Sequence, residues 1–398
     1  MSNVRLCYSS AHENMDTRTS YFCYMKNLMI IVGIWGLFDN NISKTRKKLY
    51  ATYSVLFQLV YLSAMVSLSA DLPSLLKTNP SIAIEKMGRF IFCFVMTIKM
   101  AMCRSKGVLN LIKDALRQDR ELSVQDDPEI RNIYKWHINF DNKLISLIVM
   151  SAILVGLSVA VIGDADALRR FKKGNVTHLS LPMHYWYPFD TDKHLTLAII
   201  DQNIRPILVL FCLGVVSAFV NCLIIFLRVQ LMALQFKFRN FDKYRSHRSP
   251  EDVLKLLCLK HQKLIECIGQ FNGSLKNIIL LDYTMVSVTF GTVILQMTAK
   301  SDIVVNSMTL IFTTIQLLAF SWSANEIIVQ STELADALFE SNWYDQSKRT
   351  KMLIQIMMMR CHRPLCLRIG QFGFMDLNAG MSRLKLGYSY TSIMSKSE

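Results

Sequence analysis

Charge is scarce in this sequence. Asp, Glu, Lys and Arg make up 19% of its 398 residues, against 52% hydrophobic residues gathered in long blocks. That balance excludes an ordinary water-soluble domain and places the chain among membrane proteins. A secretory signal is also missing. His12, Glu13, Asp16 and Arg18 stand among small polar residues where a basic start and an apolar stretch belong. The first transmembrane helix is therefore expected to act as the targeting signal. The chain shows no internal repeat and no low-complexity linker. No nucleophile stands with a placed base, no phosphate loop occurs and no span holds paired carboxylates, so enzymatic chemistry has no support. Cys361-His362 with Cys366 is a metal pattern without a second half, and no metal or other cofactor is expected. None of the ten cysteines falls in the segments placed outside below, which argues against a disulfide scaffold. The net charge of +15 arises between apolar spans rather than in a continuous groove-binding run. Nucleic acid is thus not expected as a partner, and the basic residues are expected to follow the positive-inside rule.

What is present is a succession of apolar runs. Leu28 to Phe38 is too short to cross a bilayer and suits an interfacial or re-entrant piece. Spans are predicted at Tyr50 to Ala70, Met87 to Cys103, Lys143 to Gly163, Ile204 to Leu227, Ile278 to Thr298, Ile303 to Ser321 and Cys366 to Met394. The fold class is all-α, a polytopic membrane protein of seven transmembrane helices. Lys99, near the end of the second span, is expected to snorkel to the interface. Basic stretches with helical apolar spacing follow spans two (Val108, Leu109, Ile112, Leu116) and four (Val253, Leu256, Leu257, Leu264), and predict helices that continue beyond the membrane. These clusters, with Lys348, Arg349, Lys351, Arg360 and Arg363 before span seven, place the N-terminus in the cytoplasm and the C-terminus outside. Arg169, Arg170, Lys172 and Lys173 run against that orientation. Of three N-x-S/T sequons, at Asn41, Asn175 and Asn272, only Asn175 then faces the lumen as a glycosylation acceptor.

The last span carries Arg368, Asp376, Arg383 and Lys385, and charges within a span face a bundle interior or a water path. Asn378, Ser382, Lys385 and Ser389 recur on one helical face, with Ile393 one turn further on. Phe374, Leu377, Met381, Leu384 and Tyr388 form an apolar stripe beside it. One reading is a pore lining, wet on one side and packed on the other, with Ile393 as a hydrophobic plug. The other is an amphipathic helix on a membrane surface or in a soluble core. Asp282 and Gln316, polar residues within spans, are candidates for function or for hydrogen bonds between helices. A receptor acting through G proteins needs the opposite orientation, and the chain has no D-R-Y after span three and no N-P-x-x-Y in span seven. A secondary transporter is disfavoured because no two halves mirror each other.

Several short motifs, in order, resemble the insect odorant receptor family. They are Gly33-Ile34-Trp35, the loop from Leu181 to Asp190, Ser331-Thr332-Glu333-Leu334, Asn342-Trp343-Tyr344, Arg360-Cys361-His362-Arg363-Pro364 and Gly387-Tyr388-Ser389-Tyr390-Thr391-Ser392. Thr391 departs from the family, which usually has Phe there. The closing S-Y-S-Y favours odorant over gustatory-type chemoreceptors, a related class of channel. The resemblance implies an odorant or pheromone receptor, the odorant-specific subunit of a heteromeric ligand-gated cation channel. It implies four subunits around one pore, formed with a shared co-receptor in the plasma membrane of olfactory sensory neurons. A small, volatile, hydrophobic odorant is expected to sit among helices two, three, four and six, with Phe92, Gly156, Ala160, Phe211, Val215 and Phe312 as its contacts. Alignment of the closing motif places the pore and gate at Ser389, Tyr390 and Ile393, and Trp343 and Tyr344 in a cytosolic anchor where subunits meet. The chain then divides into residues 1–49 (cytoplasmic N-terminus), 50–321 (helices one to six and the pocket), 322–365 (anchor) and 366–398 (pore helix and short outer tail).

Overall fold

The computed structural model describes residues 20–35, 44–78, 80–125, 127–172, 185–190, 193–244, 249–298 and 303–394. Eleven helices and one small hairpin are described. The helices are α1 (Cys23–Ile31), α2 (Lys44–Ser69), α3 (Leu72–Thr78), α4 (Pro80–Cys103), α5 (Lys106–Ser123) and α6 (Pro128–Lys172). Then come α7 (Leu195–Arg239), α8 (Pro250–Thr298), α9 (Ile303–Phe339), α10 (Lys348–Cys361) and α11 (Leu377–Met394). The strands β1 (Arg368–Ile369) and β2 (Gly373–Phe374) pair antiparallel just before α11. Asn175 and residues 181–184 of the Leu181–Asp190 loop lie outside the described residues.

Among the described residues, five helical stretches are long and apolar enough to cross a membrane: α2 with α3, α6, α7, α8 and α9. α4 and α11 pack beside them but carry Lys99, and Arg383 and Lys385, within their length. At 1.5 Å per residue the 45 residues of α7 and 49 of α8 run to roughly 70 Å, about twice a bilayer's hydrocarbon core. They therefore project well beyond the membrane, as the helical spacing after the fourth span predicts. α7 is the axis of the fold. Every residue from Cys212 to Leu227 is buried, the mark of a helix surrounded by other helices. α6 presses closely on it, since a Cβ on Gly214 would lie 2.9 Å from that of Ala152. The other side of α6 exposes Leu147, Met150, Leu154, Leu157 and Val161 at helical spacing, a face suited to lipid.

At the projecting end, α8 and α10 pack against α9, α8 also meets α7, and α5 lies on α8. Arg228 pairs with Glu326 at 3.0 Å and Arg239 with Glu340 at 2.5 Å, tying α7 to α9. A short 3-10 turn, Trp343–Asp345, joins α9 to α10. Trp343 is half-buried beside Phe339, with ring centroids 6.3 Å apart, whereas Tyr344 is exposed.

The family-like motifs now have physical jobs. Gly33 has φ +74, a conformation that favours glycine, and its carbonyl accepts from Ser54 Oγ at 2.6 Å and Arg104 Nη2 at 2.7 Å. That turn sets Ile34 and Trp35 into the core. Ser331 Oγ accepts from the Leu365 amide at 2.9 Å, and Cys361 is buried, so the segment before α11 is docked on α9. The Asn272 amide is also committed: it donates to the Cys366 carbonyl at 3.0 Å and accepts from the Arg368 amide at 2.9 Å. The nine described cysteines form no disulfide.

The structure corrects the start of the last helix. Residues 366–376 are not helical throughout, because Arg368, Ile369, Gly373 and Phe374 form the hairpin. Asp376 is the residue before α11, and its Oδ1 accepts from the Ala379 amide at 2.7 Å. It caps the helix rather than burying a charge within it.

Candidate functional site

A cavity opens among α4, α8 and α9, with Val155 of α6 and Leu210 and Leu213 of α7 closing its side. Three helices face it with one spacing. α4 contributes Phe92, Val95, Met96 and Lys99; α8 contributes Asp282, Met285, Val286 and Thr289; α9 contributes Thr309, Phe312, Thr313 and Gln316. Each set follows i, i+3, i+4, i+7, one face of a helix and about 10 Å of its length. α4 and α9 run one way through the bundle and α8 the other. Lys99, Asp282 and Gln316 accordingly meet at one end, and Phe92, Thr289 and Thr309 belong to the other.

That meeting point is ionic. Lys99 Nζ donates to Asp282 Oδ1, with the side chains 1% and 2% exposed. Gln316 Nε2 donates to Ser217 Oγ of α7 at 2.8 Å and approaches Asp282 Oδ1 at 3.3 Å. A polar floor thus lies beneath apolar walls, the usual make-up of a small-molecule site. The expected snorkelling of Lys99 is incorrect: its ammonium turns inward because Asp282 supplies a partner within the bundle. Asp282 and Gln316 prove both to join helices and to line the cavity.

Of the six contact residues expected from the sequence, Phe92 and Phe312 stand in the wall. Gly156, Ala160, Phe211 and Val215 do not. Gly156 makes no room, because a Cβ there would meet Ile207 Cα at 2.9 Å, so the glycine serves the α6–α7 crossing. Val215 is enclosed in the core of α7, and Ala160 is buried on α6. Phe211 follows wall residue Leu210 and is only partly buried against the core. Of the α8 face the sequence singled out Asp282, though not as a pocket residue, and missed Met285, Val286 and Thr289. Its signal was present: a lysine within one span calls for a carboxylate within another.

The second region of interest is α11. Its buried positions are Gly380 and Gly387, with Ala379, Arg383 and Leu384 partly buried. The glycines admit close neighbours: a Cβ on Gly380 would collide with Ser321 of α9, and one on Gly387 would lie 2.9 Å from Phe290 Cβ of α8. Ser382 and Ser389 each lie two residues past a glycine, about 200° around the helix. With Asn378 and Lys385 they are exposed, directed away from the protomer's own bundle. The apolar stripe is not the packed side in this protomer, since Leu377, Met381 and Tyr388 are also exposed. Arg383 turns partly towards the bundle, while Lys385 stays on the polar face. Tyr390 and Ile393 belong to α11, and their side chains lie outside the described residues.

The family model for the 7tm odorant receptors matches residues 79–388. Odorant receptor 30a of Drosophila melanogaster is 28% identical over 167 residues, 40% of this chain and 43% of that protein. Odorant receptor Or2 of Anopheles gambiae is 24% identical over 141 residues, 34% of this chain and 37% of that one. The chain thus spans about two fifths of the length of these curated relatives. The solved insect olfactory receptor OR5 of Machilis hrabei shares the fold with a TM-score of 0.79 at 13% identity, covering 94% of this chain and 97% of that one. Its structure in complex with eugenol aligns with a TM-score of 0.76. α2, α4, α6, α7, α8, α9 and α11 are accordingly the seven transmembrane helices of a receptor fold, not of an enzyme. With most of its length matched by the family model, this chain belongs to the seven-transmembrane odorant receptor family.

Proposed function

We propose that the chain is the odorant-binding subunit of a ligand-gated, non-selective cation channel, and that the α4–α8–α9 cavity is its odorant site. The observation that carries the reading is that cavity: three helical faces of matched spacing enclose an apolar space inside the transmembrane bundle of an odorant receptor. Phe92 and Phe312 supply aromatic contact there, and Asp282, Lys99 and Gln316 supply orientation. The eugenol-bound form of OR5 supports a small, volatile ligand for a chain of this fold.

The channel reading is supported by α11. Its polar face points away from its own bundle, where four such helices would line one water-filled path. Ser389 and Tyr390 border that path, and a ring at Ile393 closes it by dewetting. Subunits assemble with a shared co-receptor, and exposed Tyr344 beside half-buried Trp343 offers an anchor contact. The basic end formed by α5, α10 and the start of α8 lies in the cytoplasm with the N-terminus, in the plasma membrane of olfactory sensory neurons. Asn175, on the outer side, accepts a glycan.

Whole-cell recording tests this. Cells expressing the chain with a co-receptor should pass cation current on odorant application, and cells expressing either alone should pass little. Odorant responses that persist in a permeant-ion-free bath and need a G protein would contradict it. So would an N-terminal tag reached by antibody on intact cells.

A further inference from the structure

Asp282 closes one end of the cavity with a carboxylate that is only half used. Its Oδ1 takes both donors, Lys99 Nζ and Gln316 Nε2. Its Oδ2 is buried, accepts from no group among the described residues, and belongs to a residue that lines the cavity and is 2% exposed. The hydroxyls along the α9 wall are committed elsewhere. Thr309 donates to the Val305 carbonyl and Thr313 to the Thr309 carbonyl, each at 2.8 Å. A buried acceptor without a donor is unfavourable, and a ligand that brings one gains from supplying it.

We infer that the cavity selects a hydroxyl-bearing amphiphile, an alcohol or phenol whose O–H donates to Asp282 Oδ2 while its hydrocarbon body lies along the apolar walls. The inference rests on the reading of the cavity as the odorant site. The matched faces give the body about 10 Å of wall. An ether, ester or aldehyde of the same length brings only acceptors. Set against Oδ2, such a ligand leaves the carboxylate unpaired and adds repulsion. An ionised carboxylic acid is refused more strongly, since it brings a second carboxylate against Asp282 and must lose its water to lie between apolar walls. Sites that use a buried polar group in this way discriminate against the analogue that lacks the partner.

The test is a matched series on cells expressing the full chain with a co-receptor. It comprises the primary alkanols from hexanol to decanol, their methyl ethers and the corresponding aldehydes. The alcohols should act at concentrations at least about tenfold lower than their ethers and aldehydes, the equivalent of one net hydrogen bond. The paired variant Lys99→Met with Asp282→Leu removes the ion pair and the Oδ2 acceptor, keeps their volume and leaves Gln316 in place. It should respond to alcohol and ether with nearly equal potency. Equal potency of alcohol and ether on the wild-type chain, which needs no variant to fold, overturns the inference and leaves the odorant site in place. Retention of the alcohol preference by a surface-expressed paired variant overturns it too. Silence towards this series and towards a broad panel of esters, terpenes and phenols overturns both the inference and the odorant-site reading.

Discussion

Lys99 of α4 and Asp282 of α8, 183 residues apart in the sequence, form an ion pair with both side chains shut off from solvent. The pair joins two transmembrane helices, and through Gln316 and Ser217 it reaches α9 and α7 as well. Four helices are thus held at one level of the bundle, directly beneath the cavity.

Breaking the pair from one side should be worse than removing it. Asp282→Ala leaves a buried ammonium alone, and losing one member of such a pair costs about 3–5 kcal/mol. Lys99→Met with Asp282→Leu leaves no charge behind and should recover most of the loss. Thermal unfolding of the detergent-solubilised protein and its abundance at the cell surface measure this. Additive losses in the two single variants and the double would show that the side chains do not interact.

The orientation of α11 predicts which residues water reaches. Single cysteines at 382, 385 and 389 should react with a water-borne thiol reagent in the open channel, and cysteines at 380 and 387 should not. Ile393→Ala should weaken the apolar ring and give leak current without odorant, diluted in proportion to the co-receptor subunits in the assembly. Reaction at 380 and 387 with protection at 382 and 389 would reverse the faces. A bulky residue at 387 should also reduce surface expression, because Phe290 occupies the space.

Lys237 gives the projecting end a pH dependence. It is buried on α7 beyond the membrane, and burial together with the Lys260 ammonium lowers its pKa from 10.5 to about 7. The unfolded chain binds the proton more tightly, so stability rises with pH across that window. The cost of the buried ammonium is complete below about pH 7 and gone above about 10.5. Hydrogen exchange at the end of α7 should slow, after correction for its intrinsic pH dependence, between pH 6.5 and 9. Lys237→Met should flatten the trend. A wild-type profile as flat as the variant's would contradict it.

The long apolar runs made five of the transmembrane helices legible, because a lipid-facing span is apolar over a bilayer's thickness, whereas α4 and α11 carry charges within their length. Helical spacing likewise marked the helices after spans two and four: the second continues α7 and opens α8, whereas α5 is a separate helix capped by Ser105 after α4 ends at Cys103. What escaped depends on partners distant in sequence. Lys99 reads as a snorkelling lysine until Asp282 stands beside it. Gly156 reads as empty space until the Ile207 backbone fills it. Asp376 reads as a charge inside a span until its oxygen is found on the Ala379 amide. Gly380 and Gly387 carry no hydropathy signal, yet they define the side on which α11 packs. Phe92 and Phe312 fell in the cavity wall, whereas the α8 face did not figure in the sequence-based pocket.

The central claim is that odorant enters the α4–α8–α9 cavity, and filling the cavity tests it most directly. Val286→Trp places an indole between the walls, one turn from Asp282, and keeps both members of the ion pair. Odorant-evoked current should be abolished, or shifted to concentrations at least about a hundredfold higher, the equivalent of ~2.7 kcal/mol. Surface abundance and co-purification with the co-receptor should remain as in the wild type. An unchanged concentration–response curve from a normally assembled variant would contradict the account.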